Sequence, residues 1–275
     1  MSDFVLKVAL GECESSFSLE NAVCNHGFFM MSPNNWIPST KTFQRPLRLF
    51  DSTTSVMVSI SHPPNHSFIS VQVHDLDTLS LLDQESISKQ VCRMLRISEK
   101  VEKDVREFQT LHVEAKDKGF GRIFRSPSLF EDAVKSILLC NCTWKRSLEM
   151  AKALCELQQK VIDLKPIGKR TRYMRNQAEN VSGKKVKGRV TGNCPSAKEL
   201  SSLDEDFLKQ HCKVGYRSKR IIQLAKEYKK GTSMLNEVEE MLDSTNSYKK
   251  IHRKLLKIKG FGRFASATVM MCIGC

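Results

Sequence analysis

The apolar positions of this chain follow two regimes. Through the first 75 residues they come in short runs. Phe4-Val5-Leu6-Lys7-Val8-Ala9-Leu10 and Ser55-Val56-Met57-Val58-Ser59-Ile60 are rich in β-branched residues, and Phe68-Ile69-Ser70-Val71-Gln72-Val73 alternates with the period of two that a half-buried strand needs. His62-Pro63-Pro64-Asn65 predicts a hairpin-like turn between the last two runs, and Ser32-Pro33-Asn34-Asn35 predicts another turn. After His74 the period lengthens to that of a helix. Leu79, Leu82, Ile87, Val91, Met94 and Leu95 share one face, and Val101, Val105, Phe108 and Leu111 share the next, opened by Ser98. Ser126-Pro127 predicts the start of a helix carrying Leu129, Phe130, Ala133, Val134, Ile137 and Leu138. A further helix holds Leu148, Met150, Ala151, Leu154 and Leu157.

From Gln158 to Asn193 the apolar period lapses and charge dominates, which predicts a flexible insertion. Helices resume at Pro195, where Ser196 and Glu199 have capping-box spacing. Gly215-Tyr216-Arg217 marks a turn before Ile221, Ile222, Leu224 and Ala225, and another helical stretch covers Met234 to Leu242. The last pair of helices, Tyr248 to Ile258 and Arg263 to Cys272, is joined by Lys259-Gly260-Phe261-Gly262. The fold class expected is therefore α+β, an antiparallel N-terminal sheet packed on a mostly helical domain. Its segments are 1–75 (β-rich), 76–157 (helices), 158–193 (basic insertion) and 194–275 (helices ending in the glycine hairpin).

Charge adds a partner class. The 275 residues carry a formal charge of +14, which points to a polyanion, nucleic acid foremost. More than half of that excess lies between Lys165 and Arg189, where nine Lys and Arg face one acid, Glu179. This stretch reads either as a solubilising loop or as a phosphate-binding arm or nuclear-import signal. No apolar run approaches the ~20 residues of a membrane-spanning helix, and Met1-Ser2-Asp3 does not open a secretory leader. The ten cysteines are scattered through apolar stretches, as expected in a reducing compartment. Cys272 and Cys275 form a lone C-x-x-C, and without a second pair no metal site is expected.

The most informative segment is Leu255-Leu256-Lys257-Ile258-Lys259-Gly260-Phe261-Gly262-Arg263-Phe264-Ala265-Ser266-Ala267. Gly260 and Gly262 allow backbone angles closed to other residues and let a phosphate approach the main chain. The helix that follows aims unpaired amides and a positive dipole end at that phosphate, with Lys259 and Arg263 on either side. An ordinary helical hairpin with a glycine turn is the alternative for this segment taken alone.

The segment resembles the hairpin of the helix-hairpin-helix DNA glycosylase superfamily. The resemblance extends over most of the chain. Phe124 to Leu157 is similar to the helix pair that opens the family's catalytic domain, and Cys194-Pro195-Ser196 through Gly215-Tyr216-Arg217-Ser218-Lys219-Arg220 is similar to its middle segment. The N-terminal part resembles the β-rich domain of the 8-oxoguanine and alkyl-purine branches, with Cys24-Asn25-His26-Gly27-Phe28 where those proteins have a strand. What the resemblance implies is base excision repair: binding of double-stranded DNA as a monomer in the nucleus, without a cofactor, and eversion of a damaged purine for hydrolysis of its glycosidic bond.

By the same resemblance the DNA-binding residues are Lys259, Gly260, Phe261, Gly262, Arg263 and Asn141. Asn141, in Leu139-Cys140-Asn141-Cys142-Thr143-Trp144, would fill the gap left by the everted base; a helix cap is its alternative. Phe264 and Trp144 would line the base pocket, or serve helix and core packing instead. Phe264 stands where strand-cutting relatives carry a Schiff-base lysine, so lyase chemistry is not expected. The family's catalytic Asp lies about twenty residues beyond the hairpin, past Cys275, so the resemblance implies a catalytically silent chain, its last helix short of packing partners and exposing Val269, Met270, Met271 and Ile273. A DNA-binding module without chemistry is the alternative function.

Overall fold

The computed structural model describes residues 3–163, 192–242 and 248–274. Five strands form one antiparallel sheet: β1 (Phe4–Ala9), β2 (Asn35–Ile37), β3 (Thr42–Arg48), β4 (Ser55–Ser61) and β5 (Phe68–Val73), in spatial order β1-β5-β4-β3-β2. The register pairs Val58 with Val73 and Ile60 with Val71, so the alternating apolar residues of both strands fall on one face. That face is buried under α2 (Leu81–Leu95), whose Ile87, Val91, Met94 and Leu95 are fully enclosed.

Two strands escaped the sequence pattern. In β3 the alternation is broken by Arg45 and Pro46. The proline is tolerated because β2 covers only Thr42 to Gln44, leaving the rest of β3 an edge on that side. The stretch Cys24–Phe28, expected as a strand, is instead the end of α1 (Leu19–Cys24) followed by a 3-10 turn, Gly27–Met30. Ser18 caps α1 by accepting from the Asn21 amide, which commits the segment to helix.

Beyond the sheet lie α3 (Glu99–Leu111), α4 (Val113–Asp117), α5 (Leu129–Leu139) and α6 (Trp144–Asp163). Then follow α7 (Ala197–Leu200), α8 (Glu205–Cys212), α9 (Arg217–Lys229), α10 (Met234–Met241), α11 (Tyr248–Leu255) and α12 (Arg263–Ile273). The capping box of Ser196 and Glu199 forms as its spacing suggests. The stretch expected as an insertion begins in regular structure. α6 runs on to Asp163, and buried Gln158 donates to Glu199 (3.1 Å) and accepts from the Asn193 amide (2.9 Å). Residues 164–191, which hold the whole of the basic stretch Lys165 to Arg189, lie outside the described residues.

α5 is the central element: every residue from Leu129 to Leu138 is buried. Its Glu131 receives both arms of Arg45 from the sheet, at 3.3 and 3.0 Å, and pairs with Lys135 at 2.7 Å. Its Asp132 pairs with Arg93 of α2 at 2.9 Å and accepts from the Ser126 amide at 2.7 Å. Burial alone would raise the Glu131 pKa, but Arg45 and then Lys135 outweigh it and hold the carboxyl down at about 2.

The last helix is not short of partners. α12 packs along α5, with Val269 and Met270 buried and Met271 and Ile273 half-buried, against the exposure expected from sequence. The reason is a clamp at its C-terminal end. Arg96 adopts a left-handed conformation just after α2 and donates to the carbonyls of Met271 (2.8 Å), Cys272 (2.7 Å) and Ile123 (2.6 Å). Arg125 reaches the Cys272 carbonyl as well, at 3.4 Å. Cations here complement the negative end of the helix dipole and satisfy its orphan carbonyls.

Arg96→Met should therefore cost about 2–4 kcal/mol in denaturant unfolding, because buried carbonyls lose charged donors. A loss within about 0.5 kcal/mol, the usual range for an unremarkable surface change, would show that the clamp is idle. The depressed Glu131 pKa makes a second expectation with a definite sign. Its stabilisation is complete above the ordinary value of 4.5 and is lost as pH falls toward about 2. Stability should rise with pH across that window, and Glu131→Gln should flatten the slope in acid titrations.

Candidate nucleic-acid interface

The hairpin is fixed from below and open above. Ile251, Leu255, Ile258 and Phe261 are buried, and the Phe261 amide donates to the Ile258 carbonyl at 2.9 Å. Phe261 thus pins the turn to the core between two glycines whose surroundings differ. Gly260 has φ +97°, and a Cβ there would lie 2.6 Å from the Cδ of Arg220. Gly262 is extended, with φ −94° and ψ −173°, and a Cβ there would meet nothing within 4 Å. Gly262 is also the N-cap of α12 and supplies no side-chain acceptor. Among the described residues, no acceptor engages the first-turn amides of Arg263, Phe264 and Ala265; the ladder begins with the Ser266 amide on the Gly262 carbonyl at 3.0 Å.

Lys259, Arg263 and Phe264 are exposed around this opening, Phe264 to 58%. From Tyr248 to Cys275 the sequence has seven Lys and Arg and no acid. One of these, Lys254, pairs with Glu237; the free amides, the positive dipole end and the exposed Lys259 and Arg263 together suit an anion on the backbone side of the turn.

A second element is tied to the first through one aromatic ring. Tyr216, half-exposed at the start of α9, lies 4.7 Å from the guanidinium of Arg217 and 4.7 Å from that of Arg220. Arg220 is the side chain packed over Gly260. Arg217 is buried and donates to the carbonyls of Ile137 (3.2 Å), Cys140 and Asn141 (3.3 Å), while Tyr216 donates to the Cys140 carbonyl at 3.3 Å. The Gly-Tyr-Arg turn therefore caps the C-terminal end of α5 and holds Asn141 at φ +47°, exposed. The neighbouring Cys140 thiol is pushed up by burial, although Arg217 and Arg220 pull the other way.

Trp144 opens α6 and is 39% exposed, with its ring edge 2.9 Å from where a Cβ on Gly27 would sit. The residues read from sequence thus divide into two groups. Lys259 to Phe264 form one opening, joined to Asn141 by Arg220, Tyr216 and Arg217. Trp144 faces the 3-10 turn of the N-terminal part. Arg220 and Gly27 lie in segments read from sequence but were given no role there; an arginine four residues after Tyr216, on the same helix face, is the signal that could have found the first.

No family model matches the chain, and no curated protein matches it in sequence. Solved structures do match. The 3-methyladenine DNA-glycosylase from Archaeoglobus fulgidus superposes over 100% of this chain and 80% of its own, with TM-score 0.58 and 17% identity. The 8-oxoguanine glycosylase/lyase of Clostridium acetobutylicum, in complex with dsDNA containing cytosine opposite 8-oxoG, covers 93% of this chain and 72% of its own, with TM-score 0.57 and 15% identity. Its apo form covers 93% and 74%, with TM-score 0.56 and 16% identity.

This chain has the fold of those DNA glycosylases.

Within that glycosylase fold the two hairpin glycines make separable demands. Gly260→Ala puts a Cβ at a positive φ and into Arg220, and should destabilise the protein by about 1–3 kcal/mol. Gly262→Ala should leave the melting curve close to wild type yet weaken duplex DNA binding, because the methyl stands in front of the free amides. Equal DNA binding by Gly262→Ala and wild type in an anisotropy titration would remove the amides from the interface.

Proposed function

We propose that this protein binds double-stranded DNA and everts a damaged purine, as a base excision repair protein of the helix-hairpin-helix DNA glycosylase superfamily. The observation that carries the reading is the uncapped N-terminus of α12. It sits in an acid-free basic segment and is joined through Arg220, Tyr216 and Arg217 to an exposed Asn141. In this reading the amides of Gly262 to Ala265, with Lys259 and Arg263, hold one phosphate of the damaged strand. Asn141 enters the duplex in place of the everted base, and its amide meets the partner base left behind. Phe264, exposed on the first turn of α12, faces the everted base, whose flat surface suits aromatic contact, while the pocket role read for Trp144 rests on its partly exposed ring, whose edge lies against Gly27.

Phe264 has no amine, so a Schiff base at the sugar does not form at that position and the chemistry is hydrolysis without strand cleavage. A carboxylate is needed to support the cationic sugar. Asp132, whose field reaches Cys272 of α12, is committed to Arg93 and fully buried. This favours a second reading, binding and eversion without bond cleavage by these 275 residues. Both readings place the protein in the nucleus as a monomer, and neither calls for a cofactor.

The test is a titration of duplexes, with and without an oxidised or alkylated purine, at several salt concentrations. Binding should weaken steeply with salt, and the slope should fall by about two when Lys259 and Arg263 are both changed to Ala. Asn141→Ala should abolish the fluorescence rise of a 2-aminopurine placed beside the lesion while leaving the salt slope unchanged. Alkali treatment after incubation separates the two readings: strand breaks mean hydrolysis, and intact strands mean binding alone. Failure to bind either duplex in dilute buffer would refute both.

A further inference from the structure

At the far end of α2 from the Arg96 clamp the surface changes character. The β3–β4 turn and the start of α2 enclose a groove of about 350 Å³, walled by Leu49, Phe50, Val56, Leu76 and Leu82. Phe50 is 61% exposed, Leu82 52%, and Leu81, the residue before Leu82 on α2, 80%. Exposed large apolar residues clustered at a groove mark an interaction surface more often than a scattered residue does. The walls are fixed: the Phe50 amide donates to Asp83 at 3.0 Å, and the Leu49 amide to the Thr54 carbonyl at 2.9 Å.

The rim carries the opposite charge to the rest of the chain. Residues 75–85 contain Asp75, Asp77, Asp83 and Glu85 with no Lys or Arg, and the β3–β4 turn adds Asp51; Arg48, which opens that turn and donates to the Ser52 carbonyl at 3.2 Å, is neutralised by Glu199 at 2.7 Å. Lys89, one turn beyond Glu85, is the nearest cation along α2. In a protein of charge +14 this rim disfavours a polyanion at the groove itself. A polypeptide with apolar side chains and flanking cations matches both the shape and the sign of the surface.

We propose that this groove docks a basic, amphipathic segment of another protein. The segment places bulky apolar residues against Phe50, Leu81 and Leu82, and its Lys and Arg meet the surrounding carboxylates. The site is independent of the DNA reading above.

The test uses the full chain and three fluorescein-labelled synthetic peptides of about 18 residues, a length that presents several i, i+3 and i+4 anchors. One has leucines at that spacing among Lys and Arg. The second replaces the cations by Glu, and the third replaces the leucines by Ser. The first should bind at least tenfold more tightly than either control, and more weakly as salt rises. Leu81→Ser with Leu82→Ser should remove that preference without lowering the melting temperature, since both side chains are exposed. If that double variant melts early, Asp51→Asn with Asp83→Asn, whose amide oxygens can still accept the local hydrogen bonds, should instead weaken the salt dependence.

Equal binding of all three peptides, or full binding by the double variant, would overturn the proposal. So would concentration-dependent dimerisation lost in that variant, which would give the groove to a second copy. Zero-length cross-links from Lys165–Lys187 to Asp51 or Asp83 within one monomer would give it to the chain itself and overturn the proposal equally.

Discussion

Two adjacent carboxylates inside one buried helix hold this molecule together. Glu131 takes the arginine that projects from the sheet, and Asp132 takes the arginine from α2. Because they are neighbours on α5, the sheet and the first long helix are fixed relative to the same few ångströms of backbone. A buried ion pair is not in itself a strong source of stability, since desolvation offsets much of the attraction. Its consequence is geometric: removing either partner leaves an uncompensated charge in the core, so only one arrangement of these elements is tolerated. α12 then packs along the same helix, with Arg96 holding its far end.

The candidate interface inherits its shape from that frame. α5 ends where Arg217 and Tyr216 cap its carbonyls, and the next residue, Asn141, is turned outward in a left-handed conformation. α12 begins at the uncapped glycine that offers its amides. These two helix ends, one C-terminal and one N-terminal, are linked by Tyr216 between two guanidinium groups, with Arg220 resting on Gly260. The two helix ends are thereby held in one train of contacts. The acidic groove beside Phe50 sits at the other end of α2, away from the Arg96 clamp on α12.

Much of this was legible in the chain because its physics is local. Short β-branched runs located β1 and β4, period-two alternation located β5, helical spacing located α5, and Ser196 with Glu199 located a helix start. The hairpin could be read because glycine at a tight turn has a backbone reason that does not depend on neighbours. What failed to show was long-range. β3 was hidden because its Arg45 is buried by a partner 86 residues away, which turns an apparently exposed position into a core one. The burial of Val269 and Met270 depends on Arg96, some 175 residues earlier in sequence. The role of Arg220 depends on a glycine forty positions on. Cys24–Phe28 was assigned by likeness, and Ser18 capping its own helix overrode it.

The central claim is that backbone amides at the start of α12 contact a DNA phosphate. Amide chemical shifts of the labelled protein, followed while a short duplex is added, test it most directly. The account predicts that the Gly262, Arg263 and Phe264 amides move first and furthest, accompanied by Asn141, and that they move downfield as a charged acceptor arrives. Unmoved amides at those positions, with the shifts confined to lysine-rich surface elsewhere, would contradict it.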